Sequence, residues 1–190
     1  MKPIGIFYAT REGQTRRIAD HVAGRLREHG VAARVRNVQD LPAALTLDKY
    51  AGVVLAASVH AGEHESEMVR FVRKHRAELE RLPAAFLSVT LSEAGAEKKD
   101  ASPEEQARFA ADVRKMLDHF VEQTGWHPQR VKPIAGALQY SKYSIIVRFI
   151  MKRIARQAGA ATDTSKDYEY TDWAALTRFI DEFAGELLSR

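Results

Sequence analysis

The 190-residue chain has no cysteine. That excludes disulfides, thiolate metal ligands and a cysteine nucleophile, and leaves the redox compartment open. It also has no uncharged apolar run of the length a membrane span needs. The start, MKPIGIFYA, enters a strand directly without a long apolar leader, which predicts a cytoplasmic protein. Aromatic residues make up only 8% of the chain, and acidic residues are missing altogether from Gln139 to Thr162. What is present is ordinary for a folded protein. A hydrophobic content of 45% and a charged content of 28% exclude global disorder. The net charge of +4 is a modest bias towards anionic partners.

The opening stretch Ile4–Ile18 is the first with chemistry in it. An apolar run (Ile4, Ile6, Phe7, Tyr8) ends in the polar loop Thr10-Arg11-Glu12-Gly13-Gln14-Thr15, which runs directly into a helical pattern. A strand that delivers hydroxyls and a glycine onto a helix N-terminus is the construction of a phosphate site. Unpaired amides converge there, and the helix dipole favours negative charge. The same residues also suit a plain capped turn, and the stretch alone does not separate the two.

The rest of the chain alternates. Ile18, Val22 and Leu26 predict a first helix, stopped by Gly30. Val31–Val38 alternates as an edge strand, and Gly52–Ser58 is an apolar run suited to a buried parallel strand. A loop, Ser58–His64, leads into a second helix from about Glu65 to Leu82. Ala84–Thr90 predicts another buried strand, followed by a third loop from Leu91 to about Ser102. Ser102-Pro103-Glu104-Glu105 is a helix start with a serine cap and proline at the first position. Val131–Leu138 reads as a further strand, interrupted by Pro133 and Gly136. A final helix begins at Thr171-Asp172. This β-α-β-α-β-α-β order predicts an α/β fold, a doubly wound parallel sheet with helices on both faces. Ligands bind such sheets beyond the strand carboxyl ends, where the three loops lie.

Between Leu138 and the last helix stands an insert, residues 139–167. Within it Ile146, Ile150 and Ile154 form an apolar helical face, with Arg148, Lys152 and Arg156 opposite. A basic amphipathic helix of this kind suits an anionic membrane surface, or packs on the sheet with its charges solvated. His60 and His64 suggest a proton acceptor near neutral pH, or simply loop residues. A metal site is not expected from this pair without a third ligand. The scattered basic residues and the absence of an aromatic platform predict no nucleic-acid binding.

TREGQT, GVVLAASVHAGEH, AAFLSVTL, IAGALQYSKY and TDTSKDYEYTDW together resemble the flavodoxin-like family, in its menaquinone-dependent protoporphyrinogen IX dehydrogenase branch. The resemblance spans nearly the whole chain and implies one domain over 1–190. It also implies a five-stranded sheet in the order 2-1-3-4-5, with the basic insert near the last strand. It implies FMN as cofactor, its phosphate held by the backbone of Arg11, Glu12, Gly13, Gln14 and Thr15 and by the hydroxyls of Thr10 and Thr15. The ring would be walled by Ser58, Val59, His60, Ala61 and Gly62, and by Phe86, Ser88, Val89, Thr90 and Leu91. Neither Ser58–Glu65 nor Leu91–Ser102 carries Phe, Tyr or Trp, so ring stacking falls to His60, His64 or Leu91. The implied activity is oxidation of protoporphyrinogen IX with a membrane quinone as acceptor. Lys142, Arg148 and Lys152 would meet substrate propionates or membrane, which predicts a peripheral position on the inner face of the cell membrane. A homo-oligomer is left open. The alternative is a flavodoxin-like electron carrier that docks a protein partner through the insert.

Overall fold

The computed structural model describes residues 2–142 and 163–189. In chain order it contains β1 (Ile4–Ala9), α1 (Gln14–Glu28), β2 (Ala33–Asn37), β3 (Gly52–His60), β4 (Glu63–His64), α2 (Ser66–Leu79) and β5 (Ala84–Thr90). Then follow α3 (Leu91–Ala96), α4 (Pro103–Thr124), β6 (Arg130–Ala135), β7 (Ala137–Leu138), β8 (Tyr168–Glu169) and α5 (Trp173–Leu188). The main sheet runs β2-β1-β3-β5-β6 with every neighbour parallel, and β4 folds back antiparallel on β3. With the two-residue β4 set aside, this is the predicted order 2-1-3-4-5.

Alternation along β1 explains the layering. Ile4, Ile6 and Tyr8 point into a core shared with α1 and α5, whereas Phe7 and Ala9 point into one shared with α2 and α4. Strands buried on both faces read as continuous apolar runs, as β1, β3 and β5 do. Helix α4 starts with a full capping box, Ser102 and Glu105 each accepting the other's backbone N–H, with Pro103 at its first position.

Several details differ from the sequence reading. Strand β3 continues past Ser58 to His60 and turns through Ala61-Gly62 into β4, so the second loop is a tight hairpin. Both turn residues have positive φ, 51° and 85°, the backbone a two-residue hairpin of this hand demands. The third loop holds α3, capped by the Thr90 hydroxyl accepting from Ser92 N–H at 3.2 Å. The last predicted strand breaks at Gly136 into β6 and β7, and Pro133 is tolerated because β6 is an edge. Strand β7 pairs with β8 antiparallel, so the two ends of the insert meet. Ser141 reinforces that base, donating N–H and hydroxyl to the Asp167 carboxylate at 2.8 and 2.6 Å. The predicted insert helix, with Arg148 and Lys152, lies outside the described residues.

Candidate functional site

Four strand ends converge where the strand order reverses between β1 and β3, and a pocket of about 220 Å³ opens there. The β1 loop contributes Thr10, Glu12, Gln14 and Thr15, and the β3–β4 hairpin contributes Ser58, Val59, His60, Ala61 and Gly62. Val89, Thr90 and Leu91 come from the end of β5. Ser92, Met116, Gly136 and Ala137 complete the wall, and sequence reasoning did not single these out as site residues. Met116 reads as one more core position of α4, yet it reaches the Thr90 hydroxyl, which lies 3.8 Å from its sulfur. Gly136 and Ala137 sit at a strand end like the rest, and their signal is the small-residue break after Ile134.

The β1 loop is shaped to receive an anion. Gly13 takes φ 101° as the cap of α1, and its N–H donates to Thr10 Oγ1 at 3.0 Å, which closes the loop. No side chain caps the helix and no acid lies in its first turn, so the leading amides face outward with the dipole behind them. Thr15 Oγ1 is buried without a hydrogen-bond partner among the described residues. A buried hydroxyl left in this state is costly unless a ligand oxygen meets it.

Gln14 does something different. Although it lines the pocket, its amide nitrogen donates to Glu169 Oε1 at 2.7 Å and to Thr171 Oγ1 at 2.9 Å. Thr171 in turn donates to the Ala135 carbonyl at 2.7 Å. The loop is thereby braced against the chain that follows the insert.

A second cluster lies behind the hairpin. The buried Glu65 accepts from Arg11 Nε at 3.2 Å and from the Ser58 hydroxyl at 3.1 Å. His60 Nε2 lies 3.2 Å from Glu65 Oε1 and 3.3 Å from Glu12 Oε2. Burial alone would raise the Glu12 carboxyl, but the His60 contact and the Arg11 charge outweigh it and hold the group below its ordinary value. On α3, outside the pocket wall, burial and the neighbouring Glu97 push Glu93 up to about 6, against the pull of Lys132.

Four predicted cofactor contacts stand outside the pocket wall. Arg11 is exposed and bound to Glu65, and Gly13 shapes the loop from beneath. Phe86 sits mid-strand and stacks on Phe120 at 4.3 Å, fully buried. Ser88 shares its face of β5 and hydrogen-bonds His64 Nε2 at 2.9 Å. Both are therefore core residues, because side chains two apart on a strand share one face and this face packs on α2 and α4. His64 belongs with them. Its burial, with a small addition from His119, pushes the imidazole down to about 4, and its ring packs against both Phe86 and Phe120. Lys142 ends a 3-10 turn beyond β7. No group of three metal-ligating side chains occurs among the described residues.

A family model described as a flavodoxin domain matches residues 5–165. Protoporphyrinogen IX dehydrogenase (quinone) of Escherichia coli K12 is 37% identical over 94% of this chain and 93% of its own length. The protein of the same name from Leishmania major is 33% identical over 94% of this chain and 73% of its own. The chain belongs to the flavodoxin family, in its protoporphyrinogen IX dehydrogenase branch. A short-chain flavodoxin associated with a bacterial microcompartment shares the fold, with a TM-score of 0.54 at 15% identity over 98% of this chain and 99% of that one. Within the flavodoxin family frame, the position of the pocket follows from topology, since the crevice beside the reversal of strand order is where doubly wound sheets bind ligands.

Proposed function

We infer that this chain is an FMN-dependent dehydrogenase that oxidises protoporphyrinogen IX and passes the electrons to a quinone. The observation that carries this is the pocket at the strand-order reversal, with its open helix N-terminus, in a chain 37% identical to a protoporphyrinogen IX dehydrogenase along nearly its whole length. The residues present fit the cofactor. The amides after Gly13 and the unpartnered Thr15 hydroxyl suit a dianionic phosphate, which needs no lysine there. The hairpin and the Thr90–Ser92 corner offer small side chains and backbone to a planar ring. When bound, FMN supplies two-electron acceptance from the tetrapyrrole and delivery to the quinone.

The protein's own residues bind and orient. Thr10 closes the phosphate loop, Gln14 braces it, and Leu91 and Met116 exclude water from one side of the pocket. We assign the chain as one folding unit over 1–190, with 139–167 as an insertion anchored by β7 and β8. The insert's lack of acids and its basic residues, Lys142, Arg148 and Lys152 among them, suit an anionic membrane surface or the substrate's propionates. Among the described residues no helix is long and apolar enough to cross a membrane, so the attachment proposed is peripheral.

Anaerobic mixing of the FMN-loaded protein with protoporphyrinogen IX tests the assignment. Bleaching of the flavin absorbance is expected, followed by its return on adding quinone. Flavin that stays oxidised refutes the activity.

A further inference from the structure

Oxidising a methylene-bridged tetrapyrrole by two electrons removes two hydrogens, one leaving with the electron pair and one as a proton. Quinone reduction consumes the same two, an electron pair with its hydrogen and a proton. The cofactor accounts for the electron pair. The proton needs a protein group that accepts it in the first half and returns it in the second.

The pocket wall offers two titratable side chains, Glu12 and His60. Glu12 is held low by His60 and Arg11, which makes it a poor proton acceptor near neutrality. His64 is buried in the core with its imidazole pushed down to about 4, and it does not line the pocket. His60 remains. It closes β3 at the pocket wall with its side chain about one-fifth exposed. Its Nε2 faces Glu65 and Glu12 at 3.2 and 3.3 Å. Neither ring nitrogen makes a well-directed hydrogen bond within the described residues; Nε2 is buried against the two carboxylates, which leaves Nδ1 for a ligand.

We propose that His60 carries the proton of the reaction: Nδ1 accepts it as the tetrapyrrole is oxidised, Glu65 and Glu12 hold the imidazolium at Nε2, and the proton then passes to the quinone oxygen. This rests on the dehydrogenase reading above. Each two-electron turn then balances, because the substrate loses a hydride equivalent and a proton, the quinone gains both, and His60 ends as it began. The charges around the imidazole are Arg11 and Glu12 on the β1 loop and Glu65 before α2, while Glu63, its backbone partner across the hairpin, lies against His119 on α4. Glu65 is a positioning residue, acting through the ring and itself oriented by Arg11 and Ser58.

The test has two arms. In the first, His60→Gln and wild type, both loaded with FMN, are mixed anaerobically with protoporphyrinogen IX across a pH series. Wild-type flavin reduction is expected to rise through a single titration. His60→Gln should lose that titration and slow by about 10²- to 10⁴-fold while still retaining FMN. In the second, nuclear magnetic resonance follows the His60 imidazole in the protein loaded with oxidised FMN. Its midpoint should coincide with the kinetic one, and Glu65→Gln should move both downward together. A wild-type pH profile in His60→Gln overturns the proposal, as does a kinetic midpoint that stays fixed in Glu65→Gln while the imidazole's moves. Wild-type flavin that stays oxidised instead refutes the dehydrogenase reading, a separate outcome.

Discussion

Ala61 is the residue held in the least comfortable backbone. Its φ of 51° lies in the left-handed region, where a Cβ costs about 1 kcal/mol relative to glycine. Ala61→Gly should therefore raise stability by up to about 1 kcal/mol in urea unfolding, less whatever the unfolded glycine gains in freedom. His64 makes the opposite kind of prediction. Its native imidazole is pushed down to about 4 by burial, so between there and its unfolded value of 6.5 the unfolded chain binds more protons. Its contribution is full above 6.5 and is lost as pH falls towards 4, a difference on the order of 3 kcal/mol. His64→Gln, which can keep the Ser88 bond, should flatten the acid limb of stability measured by urea unfolding across that range. At this scale the sequence was readable only in part. Thr15 and Gly13 announce themselves by type and place, whereas Phe86 and Ser88 differ from the pocket-lining Thr90 only in their depth along one strand face, which a linear pattern does not display.

Among elements, the six-residue α3 shows what the alternating pattern concealed. Too short for a periodic signal, it reads in sequence as a loop, and tertiary packing on α4 sustains it. Gly95 is the contact point, since a Cβ there would lie 2.5 Å from the Phe109 ring. Gly95→Ala should cost about 1–3 kcal/mol by overpacking, read from the thermal midpoint. The larger elements were legible because each obeys one period: β1, β3 and β5 as apolar runs, α4 through its cap and stop. Where two elements share few residues, as β3 with β4 or β6 with β7, the boundary depended on turn chemistry at Ala61-Gly62 and on Gly136.

For the molecule as a whole, the sheet order follows from the βαβ alternation and its handedness, so the fold and the position of the pocket were readable in advance. The links that tie distant parts together were not. Asp181 on α5 accepts from Arg25 Nε on α1 at 2.5 Å and lies 2.8 Å from His29 Nε2. Arg25 first, and then His29, lowers the Asp181 carboxyl to about 2. The stability it lends is present above its unfolded value of 3.8 and disappears as pH falls through 2. Asp181→Asn should therefore melt below wild type at neutral pH, with the two converging near the acid end of a calorimetric series. The pairing of β7 with β8 has a different kind of consequence. Because the insert leaves and re-enters the sheet through neighbouring paired residues, what lies between can change in length or content without shifting either end. Such a junction behaves like a socket, and exchanging 143–162 for a short turn should leave a compact flavin-binding core to which other segments can be grafted.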